Sequence, residues 1–149
     1  MAQKSWKVYL AGEIHSSWRE DMKKAAGDLP IEWTAPVTDH PASDDCGVKI
    51  LGEEDKSFWK DHKGALINSI RTRTHLRESD VVIVKLGEKY KQWNAAFDAG
   101  QAFALGKPLI VIHPPEHTHA LKELDAAAQA VCETEQQAAE ILSYVIAKE

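Results

Sequence analysis

The chain has 149 residues, 44% hydrophobic and 28% charged, which is the make-up of one globular domain and excludes a disordered or fibrous chain. A net charge of −5 disfavours non-specific attachment to nucleic acid polymers or anionic membranes, and no apolar run approaches the roughly 18–20 residues of a membrane span. Cys46 and Cys132 make no disulfide framework and the Met1-Ala2-Gln3-Lys4 start carries no signal-peptide apolar core, so a cytoplasmic protein is expected.

Val8-Tyr9-Leu10-Ala11 reads as a short buried strand ending at Gly12. Ser16 or Ser17 then offers an N-cap for a helix to about Ala26, stopped by Gly27. Ile31–Thr34 is a second, weaker strand. Residues 35–55, with Pro36, Pro41, Gly47 and Gly52, read as a long loop. A helix is predicted over 56–77, where Trp59, Leu66 and Ile70 share a face. Val81–Val84 is a continuous apolar run suited to a central parallel strand. A loop, Gly87 to Lys91, leads to a helix from about Gln92 to Leu105, ended by Gly106 and Pro108. Leu109–Ile112 is another buried strand, followed by helix through about Ala128 and a short strand at Ala130–Cys132. A last helix starts at Thr134, where Thr134 and Gln137 resemble a capping box. Alternating strands and helices predict a single doubly wound, flavodoxin-like α/β domain with a five-stranded parallel sheet. Ligands in such sheets bind outside the carboxyl ends of the strands, which selects the loops after Ala11, Val84 and Ile112.

Asn94, Asp98 and Gln101 fall at i, i+4 and i+7 on an otherwise small or apolar helix. A carboxylate there is either an ordinary surface acid or one that is used. Glu13 and His15 sit in the first of the three loops, as helix N-terminal polarity or as site groups. Arg71 and Arg73 are either cations near a helix C-terminus or a grip for a phosphate or carboxylate, which would favour a nucleotide over a nucleoside. Trp18 and Trp93 follow switch-point strands and are candidates to stack on a base; core packing is the alternative. The chain has no dinucleotide fingerprint, P-loop or nucleophile elbow. Two clusters, Asp39-His40 with Asp44-Asp45-Cys46 and His113 with His117 and His119, match no known metal-ligand spacing, so no metal or cofactor is expected.

Val8–Gly12, Ser79–Val84 and Ala96–Pro108 resemble the signatures of the nucleoside 2-deoxyribosyltransferase-like superfamily. Within it, Gly87–Gly100 and Ile70–Thr74 resemble the YtoQ family, and this likeness spans essentially the whole chain. The resemblance implies cleavage or transfer across an N-glycosidic bond by a helix-borne carboxylate that attacks the anomeric carbon. Asp98 aligns with that nucleophile, and Tyr9 with a tyrosine that supports the nucleophile and the sugar. The superfamily nucleophile is usually Glu, so Asp98 is shorter by one methylene, about 1.5 Å of reach. Gln92-Trp93-Asn94 replaces an Asp and a Gly-Thr, Arg71-Thr72 stands where a helix acid is usual, and Glu13 stands where Pro is usual. These residues imply a catalytic set of Asp98, Tyr9 and Glu13, the last as acid/base. They imply substrate contacts from Gly12, His15, Trp18, Arg71, Arg73, Trp93 and Asn94. The implied ligand is a small-molecule nucleoside or nucleotide, and the implied assembly is a homo-oligomer that completes its site across the interface. A non-catalytic nucleotide-binding module on the same scaffold is the alternative expectation.

Overall fold

The computed structural model describes residues 4–89 and 92–147. Its strands are β1 (Trp6–Gly12), β2 (Ile31–Thr34), β3 (Val81–Lys85), β4 (Leu109–Ile112) and β5 (Ala130–Cys132). They pair in the order β2-β1-β3-β4-β5, and every pair is parallel. The helices are α1 (Trp18–Ala26), α2 (His40–Leu51), α3 (Ser57–Glu78), α4 (Trp93–Ala104), α5 (Lys122–Ala127) and α6 (Glu135–Ala147), with a 3₁₀ turn at Pro115–His117. This is the expected doubly wound arrangement. No helix among the described residues is long and apolar enough to cross a membrane.

The strand pleat divides the core in two. Val8, Leu10, Val81, Ile83, Ile110 and Ile112 face α1 and α6, against Trp18, Met22, Leu142 and Ile146. Tyr9, Ala11, Val82, Val84, Leu109 and Val111 face the other way, against Leu76 of α3 and the small residues Ala95, Ala99 and Ala102 of α4. Strand order reverses between β1 and β3, so the crevice of an open parallel sheet lies where those two strands end. Gly12 ends β1 with φ of 128°, and a Cβ there would lie 2.2 Å from the Lys85 carbonyl oxygen. Only glycine lets the two strand ends come this close.

Two expectations fail. Residues 40–51 are helix α2 and not loop. Pro41 lies in the first turn, where no N–H is needed, and the Asp39 carboxylate accepts from the Ala42 N–H at 3.5 Å. Gly47 is no breaker either: it lets α2 press backbone to backbone on α3. A Cβ at Gly47 would lie 2.8 Å from the Gly64 nitrogen, and one at Gly64 would lie 3.1 Å from the Asp44 carbonyl oxygen. The stretch after β4 is not one helix but the 3₁₀ turn and the short α5. The final helix starts as expected: Gln137 N–H donates to Thr134 Oγ1 at 3.2 Å, and Thr134 N–H to Gln137 Oε1 at 3.3 Å.

Candidate active site

A cavity of about 730 Å³ opens at the carboxyl edge of the sheet. Its floor is the loop from Gly12 to His15, one wall is α3 through Ala65, Asn68, Ser69, Thr72 and Arg73, and the other is the start of α4. From α4 it receives Trp93, Asn94, Phe97, Asp98 and Gln101, so the helical spacing does bring Asn94, Asp98 and Gln101 onto one lining stripe. Gln92 closes the loop before α4 by accepting from the Gly87 N–H at 2.8 Å.

Asp98 is half-buried, and loss of water pushes its carboxyl up from 3.8 to about 6. Gln101 Nε2 donates to it at 3.4 Å, a long contact that holds the carboxylate loosely. Tyr9 is fully buried under the same wall, stacked on His75 with ring centroids 5.8 Å apart. Burial first, then the charge of Asp98, pushes its phenol up to about 12; Thr72, Arg19 and Arg71 pull the other way without reversing it. The phenol therefore stays protonated as a donor; the Thr72 side chain faces its oxygen, but no hydrogen bond of good geometry forms there. A buried hydroxyl in that state is costly, and a bound ligand or a shift of Asp98 would relieve it.

Glu13 is 7% exposed and its carboxylate folds back on its own loop. It accepts from the His15 N–H at 2.6 Å and from the Ser16 hydroxyl. The loop is tied from behind. Trp18 Nε1 donates to the Glu13 carbonyl at 2.8 Å. The Arg19 guanidinium donates to the carbonyls of Leu10 at 3.1 Å, Gly12 at 3.3 Å and Glu13 at 2.7 Å. Burial lowers the pKa of Arg19, yet three carbonyls and a Trp18 ring 4.8 Å away replace its water.

The sequence candidates are thus sorted. Gly12, Glu13, His15, Arg73, Trp93, Asn94 and Asp98 line the cavity, and Tyr9 lies beneath it. Trp18 does not stack on a ligand: it is 1% exposed, in the core under α1, where it anchors the loop. Arg71 does not pair with Arg73 as a grip. Arg71 is exposed and off the cavity lining, because two positions along a helix point about 200° apart. His113 is no metal ligand: its Nε2 meets both Asp125 oxygens at 2.9 and 3.0 Å, and its Nδ1 meets the Pro114 carbonyl at 2.7 Å. Among the described residues no cluster could hold a metal ion. The side chain of His40 and residues Tyr90 and Lys91 lie outside the described residues. Sequence reasoning missed Arg19, which no spacing marks, and the α3 wall, whose signal is a stripe of small or polar residues at 65, 68, 69 and 72.

The family model described as Nucleoside 2-deoxyribosyltransferase YtoQ matches residues 9–146. The chain belongs to the YtoQ family. Within it, the chain is 46% identical over 144 residues to the uncharacterized protein YtoQ of Bacillus subtilis (strain 168), covering 95% of this chain and 97% of that one. A solved 2-deoxyribosyltransferase from Bacillus psychrosaccharolyticus is similar in fold, with a TM-score of 0.61 at 18% identity over 89% of this chain and 90% of that one. A conserved protein from Enterococcus faecalis V583 is similar too, with a TM-score of 0.60 at 17% identity over 95% and 99%. At such identities these two structures speak to the fold of this YtoQ-family chain.

Proposed function

We propose that this protein cleaves or transfers across the N-glycosidic bond of a nucleoside, with Asp98 as the nucleophile. The observation that carries the reading is a half-buried Asp98 carboxylate on a cavity wall, close enough to the protonated phenol of Tyr9 for its charge to act on it. A carboxylate with little water around it is a better nucleophile, and near neutral pH it is still mostly ionised. An Asp98 oxygen bonds to the anomeric carbon as the carbon–nitrogen bond breaks. The base leaves with that electron pair and takes a proton from solvent. A second base or water then attacks the same carbon, gives up its proton to solvent or to the Glu13 carboxylate as candidate base, and frees the Asp98 carboxylate. Tyr9 donates to the carboxylate or the sugar, Asn94 orients the sugar, and Trp93 offers a stacking face. His15 and Arg73 contact the ligand from the loop and the rim.

The family name and the fold of a deoxyribosyltransferase support this reading. We also propose that a second copy covers the cavity mouth, because Trp93 and Phe97 line it while 75% and 64% exposed. The two free cysteines suit a cytoplasmic setting. Incubation with pooled nucleosides and nucleoside 5′-monophosphates, followed by base chromatography and intact-protein mass spectrometry, tests the reaction. Base release and a sugar adduct, both lost in Asp98→Asn, are expected. Ligand binding with neither would mean a binding module instead. A monomer in light scattering at working concentration would remove the covering copy.

A further inference from the structure

The turn from β1 into α1 is where an open parallel sheet ordinarily receives an anion: main-chain N–H groups and a hydroxyl converge at a helix start, outside a central strand. Here a carboxylate of the chain already fills that place. Glu13 takes the His15 N–H at 2.6 Å and the Ser16 hydroxyl, so neither donor is left for a phosphate. It is held there. Its own N–H donates to the Lys85 carbonyl at 3.1 Å, Trp18 and Arg19 grip its carbonyl, and its side chain packs on Gly87, where a Cβ would lie 3.1 Å from Glu13 Cγ. The other carboxylate of the cavity is Asp98, and the arginine on the lining, Arg73, is an exposed residue of α3.

Resting on the glycosidic-bond reading, we infer that Glu13 is a specificity-determining residue that selects an unphosphorylated sugar. A carboxylate has about four lone-pair sites and its own loop uses two, so a sugar hydroxyl can donate to one that is left. A phosphate in the same position brings negative charge and acceptor oxygens against a fixed acceptor, with its donors already taken. Within the nucleoside reading, Glu13 is therefore the residue that turns away the 5′-phosphate which the two arginines suggested from sequence.

The test compares kcat/KM for base release from a nucleoside and from its own 5′-monophosphate, in the wild-type protein and in Glu13→Gln. Gln keeps one acceptor for the His15 N–H and can donate to the Ser16 hydroxyl, so the loop survives without the charge. The wild type is expected to favour the nucleoside by at least about tenfold, and the variant to narrow that preference by at least about fivefold, mainly through KM for the monophosphate. Taking the ratio within one protein cancels any loss of acid/base chemistry in the variant. Base release mainly from monophosphates, or an unchanged ratio in a folded Glu13→Gln, overturns the inference and leaves the glycosidic reaction standing. Base release from neither class overturns both. If the variant does not fold, the wild-type ratio at pH 5 and pH 7.5 decides: a phosphate monoester loses its second charge below about pH 6, so repulsion by a fixed carboxylate should weaken at the lower pH, and an unchanged ratio overturns the inference.

Discussion

Asp98 carries the largest testable charge effect in the site. Its carboxyl rises from 3.8 to about 6 because burial strips water from the ionised form. At about 1.4 kcal/mol per pH unit that rise corresponds to about 3 kcal/mol, and solvent reaching a half-buried group reduces it to about 1–2 kcal/mol. The sign follows from linkage. The folded state holds the proton more tightly than the unfolded chain, so the stability tied to it is complete below 3.8 and is lost as pH rises through about 6. Asp98→Asn removes the titration. Urea unfolding of both proteins at pH 4 and pH 7.5 should show the variant gaining about 1–2 kcal/mol on the wild type at the higher pH. The same carboxyl should make base release rise with pH around an apparent pKa near 6, as a nucleophile must be ionised to attack. A stability difference that does not change with pH would refute the claim that water has been stripped from this group.

Gly12→Ala places a Cβ 2.2 Å from the Lys85 carbonyl oxygen at a φ of 128°, so a loss of about 3 kcal/mol or more is expected in thermal unfolding. Arg19→Met keeps the bulk but leaves the carbonyls of Leu10, Gly12 and Glu13 without their donor; urea titration should show a loss of about 3 kcal/mol or more. Trp93→Ala removes a stacking face from the cavity lining and should raise KM about 5–10-fold. An unchanged KM would take Trp93 out of the ligand's reach.

Much of this fold is written in short apolar runs. Val81–Val84 and Leu109–Ile112 are apolar on both faces, as only strands covered on both sides need to be. Helix α2 was not legible because Pro41 and Gly47 break helices in general, whereas the first turn and a close helix crossing are where they do not. In the site, the spacing of Asn94, Asp98 and Gln101 was enough, since all three ride one rigid helix. Trp18 could not be placed from sequence. Whether an aromatic residue after a strand faces the crevice or the core depends on how the loop turns, and that turn is set by Arg19 and by the closeness of Gly12 to β3. Arg71 and Arg73 show the same limit, because two positions along a helix separates them by more than half a turn.

The crossing of α2 over α3 ties cavity shape to residues outside its lining. Asn68 lines the cavity, and its Nδ2 donates to the Ser43 carbonyl of α2 at 3.0 Å and to the Gly64 carbonyl at 2.8 Å. A methyl group at Gly47 or Gly64 would act as a wedge between the helices, prying Ser43 from Asn68 and turning the Asn68 amide toward the ligand. Two alanines at this crossing, neither of them on the lining, would thus retune what the cavity accepts, and libraries meant to alter substrate choice would do well to reach that hinge as well as the walls.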